Sequence, residues 1–258
     1  MLNAHLALSR IFFKSPGSGL SRVGRRMLLK SRETLSVTEA LTMRYIAQNT
    51  TIPVPRIHGL SVNRHGHLQL LMEYVDAPML EKAWPTMLPV QKRDIMCQLK
   101  GYINQLRLLE PPHPGVVEAV DGSGCRDFRI RSGPFGPFRD VEAFHTFLGH
   151  DYIRTQQSVK YQDHQVELDR CARRTYKTVF THADLAPHNI LVKDGMIVAI
   201  IDWEFAGWYP EYWEYTRAYL GNLGVSDWWE LFSNMGVDVP YPDELVVERI
   251  LSNEFVRC

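Results

Sequence analysis

Residues 180–204 read FTHADLAPHNILVKDGMIVAIIDWE, and they gather His182, Asp184, His188, Asn189, Asp202 and Glu204 between apolar runs. Carboxylates and an amide oxygen are hard donors of the kind Mg²⁺ takes, usually with waters and substrate phosphates completing its shell. A further carboxylate close to such an ion, but not on it, can accept a proton from an attacking hydroxyl. Those are the parts phosphoryl transfer needs: position the reactants, neutralise charge and deprotonate the nucleophile.

The elements between these residues bring them together. VFTHADL begins as a short apolar strand, NILV is a second strand and MIVAIID a third, rich in β-branched residues. Asp194-Gly195 between the last two supplies the positive φ angles of a tight hairpin. Folding back at that turn sets Asn189 beside Asp202, with Asp184 in the loop that enters the hairpin.

His182, Asp184, Leu185 and Asn189 meet the spacing H-x-D-L-x-x-x-N, which is that of a kinase catalytic loop. With IDWE at 201–204, the segment resembles the aminoglycoside phosphotransferase and choline kinase-like branch of the protein-kinase-like superfamily. IDWEFAGWYPEYWEYTRA is especially similar to its fungal members. Ala183 stands where that branch usually has glycine. The resemblance implies an α+β, two-lobed kinase-like fold. It implies Asp184 as catalytic base with His182 beside it, Asn189 and Asp202 as Mg²⁺ ligands, and ATP as phosphoryl donor.

A fold of this kind needs a strand lysine on the nucleotide phosphates and a helix glutamate holding that lysine. Lys30 ends the apolar run MLLK, and Glu39 lies in the helix that SVTEALTMRYIAQN predicts. Val37, Leu41, Tyr45 and Ile46 form its apolar face. Two other readings stand beside the ion pair. Ser36-x-x-Glu39 is also a capping box, and Glu33 is a rival partner for Lys30. IPVPRIHGL is extended, RIHGLSV and LQLLMEYV read as a hairpin, and LLMEYV ends at a hinge where Glu73 and Tyr74 would meet an adenine. A phosphate-covering glycine loop is poorly represented: only Gly17, Ser18, Gly19 and Gly24 are available.

These readings divide the chain into a nucleotide-binding lobe over 1–75 and a mostly helical catalytic and substrate lobe over 76–258. In the second, LPVQKRDIMCQLKGYINQLRLLE is a long amphipathic helix with Ile95, Leu99, Tyr102, Ile103 and Leu106 on one face. DGSGCRDFRIRSGPFGPF reads as a structured loop, DVEAFHTFLGHDYI as helix, and everything after the IDWE hairpin as helices. Glu204, Glu211 and Glu214, with Trp203, Trp208 and Trp213, could line an acceptor pocket. The competing reading makes the tryptophans core and Glu214 a brace for the loop.

Composition limits the partners. Of 258 residues 45% are apolar and 22% charged, and Lys plus Arg equal Asp plus Glu, so no global field favours nucleic acid or an anionic membrane. No apolar run reaches the length of a membrane span. Cys97, Cys125, Cys171 and Cys258 form no C-x-x-C pair and suggest reduced thiols. MLNAHLALSRIFFKS lacks a long apolar core and a cleavage site, which argues against a secretory signal. That leaves a cytoplasmic protein, with organelle targeting open. The expected function is ATP-dependent phosphorylation of a small-molecule hydroxyl. The alternatives are a kinase-like scaffold and a metal-dependent hydrolase built on His182, Asp184 and His188.

Overall fold

MLLK lies inside a sheet, as its apolar run predicts. Its strand, β2 (Met27–Lys30), is flanked by β1 (Leu20–Val23) and β4 (Leu68–Glu73), and β3 (Ile57–Val62) closes an antiparallel sheet of order β1-β2-β4-β3. The computed structural model describes residues 19–155, 159–221, 224–235 and 240–255. β1 has no sequence signal of its own. It is a four-residue edge strand, too short for a period to stand out.

Helix α1 (Val37–Asn49) packs on this sheet, but its inner face differs from the one its apolar residues mark. Val37 and Leu41 are 46% and 36% exposed, while Glu39, Ala40, Thr42, Met43 and Ile46 are buried. The cause is Glu39, which turns inward to meet Lys30 and rotates the face with it.

After a one-turn helix α2 (Leu80–Ala83), α3 (Pro89–Arg107) buries Ile95, Leu99, Ile103 and Leu106 as its period predicts. The Gly- and Pro-rich stretch that follows is more ordered than a loop: β5 (Cys125–Asp127) and β6 (Arg131–Phe135) pair across a three-residue tip. Helices α4 (Val141–Leu148), α5 (His150–Thr155) and α6 (Gln165–Arg173) come next. Gly149, at φ +96°, ends α4 in the left-handed conformation that suits glycine.

β8 (Ile190–Lys193) and β9 (Met196–Ile200) form the predicted hairpin, turning at Asp194 (φ +51°) and Gly195 (φ +76°). β7 (Thr178–Thr181) does not join it. It pairs with β10 (Gly207–Pro210), where the sequence suggested helix. α7 (Trp213–Leu220), α8 (Trp228–Ser233) and α9 (Pro242–Glu254) complete the chain. Trp203, Trp208 and Trp213 are at most 1% exposed, so they are core.

One apolar cluster runs from Met43 and Ile46 of α1 and Leu70 of β4, through Leu99 and Ile103 of α3, to Ile190, Ile200 and Trp203. A second cluster lies under α4, α6 and α9. No described helix is long and apolar enough to cross a membrane.

Candidate active site

The hairpin sets the centre of the site. Ile190 pairs with Ile200, and the Ile201 N–H donates to Asn189 O at 2.9 Å, so Asn189 and Asp202 leave the two strands side by side. Asp202 has φ +64°, ψ +57°, a left-handed kink that breaks the strand and turns its carboxylate out.

That carboxylate meets the small sheet. Lys30 Nζ is 2.7 Å from Asp202 Oδ1 and 2.8 Å from Glu39 Oε1. Glu39 is therefore committed to the lysine, not to a capping box: Ser36 Oγ instead accepts from the Thr38 N–H. Glu33 is 83% exposed at its side chain and sits near His67. Burial works against the Lys30 charge, but Glu39, Asp202 and Glu204 outweigh it and hold the ammonium above its usual range.

Glu204 belongs to the same group. Its carboxylate, with those of Glu39 and Asp202, falls within a set whose oxygens lie within 4.8 Å of one another. Burial pushes its acid up to about 7; Lys30 draws it back, and Asp202 and Glu39 add to the rise. The sequence reading set Glu204 toward the acceptor. The structure sets it beside Lys30, because the turn at Asp202 redirects the residues after it.

A cavity of about 150 Å³ opens above this cluster, lined among others by Leu28, Lys30, Met72, Glu73, Tyr74 and Val75. The Glu73 N–H is given to Arg56 O, and the Tyr74 N–H to Arg26 O at 2.8 Å. Tyr74 thus has no backbone donor left for a ligand, and its ring lies under the Arg22 guanidinium. Of the sparse glycines, Gly17 and Ser18 lie outside the described residues. Gly24 turns β1 into β2 at φ +66°, and Gly19, at φ +72°, precedes β1.

Asp184 stands in the loop before the hairpin with 17% of its side chain exposed. Asn189 Nδ2 donates to Asp184 O and to Asp184 Oδ2, both at 2.9 Å. Arg129 Nη1 donates to Asp184 Oδ1 at 2.9 Å. Burial opposes ionisation, but His188 and Arg129 outweigh it and hold the carboxyl down at about 2. His188 Nε2 is 3.9 Å away, so Arg129 is the close donor of the two.

His182 takes the place of a brace, the plainer of the two roles its position offered, and not that of a catalytic group. It is fully buried, its Nδ1 accepts from the Asp184 N–H, and its Nε2 faces Ile201 O at 3.1 Å. That pattern assigns the proton to Nε2 and leaves no ring nitrogen for substrate or metal. Burial keeps the ring neutral. His182 is a brace, and the hydrolase reading loses its principal imidazole.

Two residues the sequence reading passed over or set aside support the loop. Glu214 Oε2 accepts the His182 N–H at 2.7 Å, in the bracing role that was the plainer alternative. Arg129 comes from the tip of the β5–β6 hairpin, and no spacing in the sequence links it to Asp184. Glu211 accepts the Lys177 N–H, away from Asp184.

A lysine–glutamate pair under a small antiparallel sheet faces an Asp–Asn loop and a left-handed aspartate across a cleft, in the two-lobed arrangement of a kinase-like fold. The chain belongs to the phosphotransferase enzyme family, whose model matches residues 21–239, and it is a small-molecule kinase by that membership. Solved structures agree on the fold. The apo form of a thermostable mutant of aminoglycoside phosphotransferase APH(4)-Ia superposes with a TM-score of 0.60 at 15% identity, over 92% of this chain and 82% of that one. The GDP complex of aminoglycoside 2'-phosphotransferase-IIIa gives 0.57 at 12%, over 94% and 81%. The streptomycin–ATP complex of APH(2")-IIa gives 0.59 at 11%, over 96% and 84%. No curated protein matches the sequence.

Proposed function

We propose that this chain transfers the γ-phosphoryl group of ATP to a hydroxyl of a small molecule, with Asp184 as base and Mg²⁺ held by Asn189 and Asp202. The observation that carries the reading is the Asp184 carboxylate, 17% exposed and oriented by Asn189, whose own carbonyl pairs with the residue before Asp202. In the transfer the acceptor oxygen bonds to Pγ as the bond from Pγ to the ADP oxygen breaks. The acceptor proton passes to Asp184.

The residues fit the metal. Asn189 spends its amide nitrogen on Asp184, and its Oδ1 accepts no hydrogen bond from the described residues. With the Asp202 carboxylate it makes a hard oxygen pair, and Mg²⁺ there would neutralise charge on the phosphates. Lys30, held by Glu39, would reach the same phosphates. Residues 1–75 would form the nucleotide lobe and 76–258 the catalytic and substrate lobe. At the hinge the Val75 N–H would serve adenine in place of Tyr74, because the Tyr74 N–H is taken by Arg26.

Relatives of this fold have been solved with ADP and hygromycin B and with ATP and streptomycin, which supports a nucleotide and a small polyhydroxy acceptor. The test is titration with Mg²⁺-ATP and Mg²⁺-GTP, followed by a screen of hydroxyl acceptors for phosphate transfer. Binding of neither nucleotide, or transfer to no acceptor, would overturn the reading.

A further inference from the structure

Arg129 sits at the tip of the β5–β6 hairpin, and every nitrogen of its guanidinium is placed. Nε donates to Asp127 Oδ1 at 2.8 Å and Nη2 to Asp127 Oδ2 at 2.7 Å, a bidentate pair. Nη2 also donates to Ala183 O at 2.5 Å, and Nη1 donates to Asp184 Oδ1 at 2.9 Å. Asp127 is fully buried and accepts the Arg129 N–H as well, so the tip is closed on itself. Phe128 packs edge-on against Phe205, and the Arg129 guanidinium lies 5.2 Å from the centre of the same ring.

This is a costly way to join a hairpin to a loop. Buried ion pairs return little net stability, because desolvation consumes most of the attraction. What the arrangement does achieve is geometric. Asn189 holds Asp184 Oδ2 and Arg129 holds Oδ1, so the carboxylate plane is gripped from both sides. Each carboxylate oxygen carries two acceptor positions, so these bonds leave capacity for an incoming hydroxyl, with His188 Nε2 3.9 Å from Oδ2 as the other neighbour. The contact to Ala183 O fixes the backbone immediately before the same residue.

We propose that Arg129, held by Asp127, is a positioning residue for the phosphoryl-transfer base: it sets the carboxylate plane of Asp184 for the acceptor hydroxyl. The inference rests on the phosphotransferase reading above. Arg129 acts through Asp184 and leaves nucleotide binding alone, since the Lys30, Glu39 and Asp202 group lies outside its contacts.

The test uses the full chain, Mg²⁺-ATP, and either an acceptor found by screening or water as the slow acceptor. Arg129→Gln should lower kcat about 10²-fold, the scale on which small misplacement acts, with KM for Mg²⁺-ATP within about twofold. It also strands the buried Asp127 charge, so the fold itself could fail. The double variant Asp127→Asn with Arg129→Gln removes both charges together, so neither is left buried alone. It should melt close to wild type yet keep the low kcat, and added guanidinium should restore part of the rate of Arg129→Gln. A double variant that regains wild-type kcat along with wild-type melting would make the arginine purely structural and overturn the proposal. So would equal loss in kcat and in nucleotide affinity. A wild type that turns over Mg²⁺-ATP with no acceptor, water included, overturns the phosphotransferase reading first and this one with it.

Discussion

Lys30 and Asp202 are 172 residues apart in sequence, and their side chains meet at 2.7 Å. The contact spans the cleft and makes one lysine the counter-charge for three carboxylates. Lys30→Met should therefore take the principal counter-charge from Glu39, Asp202 and Glu204, leaving Arg32 as the remaining cation that acts on Glu39 and Glu204. The expected loss is about 3–5 kcal/mol, as when one partner of a buried pair is removed. Urea unfolding of the purified variant measures it. A loss below about 1 kcal/mol would mean the cluster relaxes into water.

Asp184→Asn and Asp202→Ala should separate two roles. The first keeps shape but cannot take a proton, so transfer should fall on the order of 10²–10⁴-fold while Mg²⁺-ATP still binds. The second removes a proposed ligand and should weaken Mg²⁺-dependent nucleotide binding itself. Paired titrations and turnover assays decide; full turnover by Asp184→Asn would sink the assignment of the base.

Glu214 gives a pH signature. Burial raises its acid to about 7, against the pull of the His182 N–H. A raised folded value means that the native state holds the proton more tightly than the unfolded chain. The Glu214 contribution is thus present below about pH 4.5 and lost as pH rises through 7, by about 3 kcal/mol in all. His182, lowered by burial, and His145, held down at about 3 by burial and then by His150, act with the opposite sign. The contribution is therefore read as a difference. Wild type should gain stability relative to Glu214→Gln as pH falls from 7 toward 4.5. A pH-independent difference in unfolding free energy would contradict it.

Ala183 occupies φ +64° with a side chain that is fully buried, at the position where glycine was the expected residue. A β-carbon in the left-handed region costs roughly 1–2 kcal/mol. Ala183→Gly should relieve it, less the added freedom of the unfolded glycine, for a net gain of about 1 kcal/mol by denaturant unfolding. A net loss would show that the methyl packs too well to spare.

The parts of the site legible in the sequence are those the chain keeps close together. Asn189 and Asp202 flank a single hairpin whose Asp194-Gly195 turn can be read directly, and His182 and Asp184 lie in the loop that enters it, so their proximity follows from local geometry. Lys30 and Glu39 followed from what a kinase-like fold needs and from their order along the chain. Arg129 did not, because a hairpin tip 55 residues from Asp184 leaves no periodic trace of what it touches. Edge strands such as β1 and β10 were missed for a related reason: four residues paired on one side hold too little pattern. Glu204 was misdirected because a single left-handed residue, Asp202, decides which way the next two side chains point.

The apolar cluster shared by α1, β4, α3 and the β8–β9 hairpin also bears on how the molecule comes apart. Melting the sheet would strip Met43, Ile46 and Leu70 from Ile190 and Trp203, exposing both sides of the seam at once. Neither half retains a complete interior without the other. Denaturation should thus run as one cooperative transition, and the cleft can open only by amplitudes that keep the seam dry.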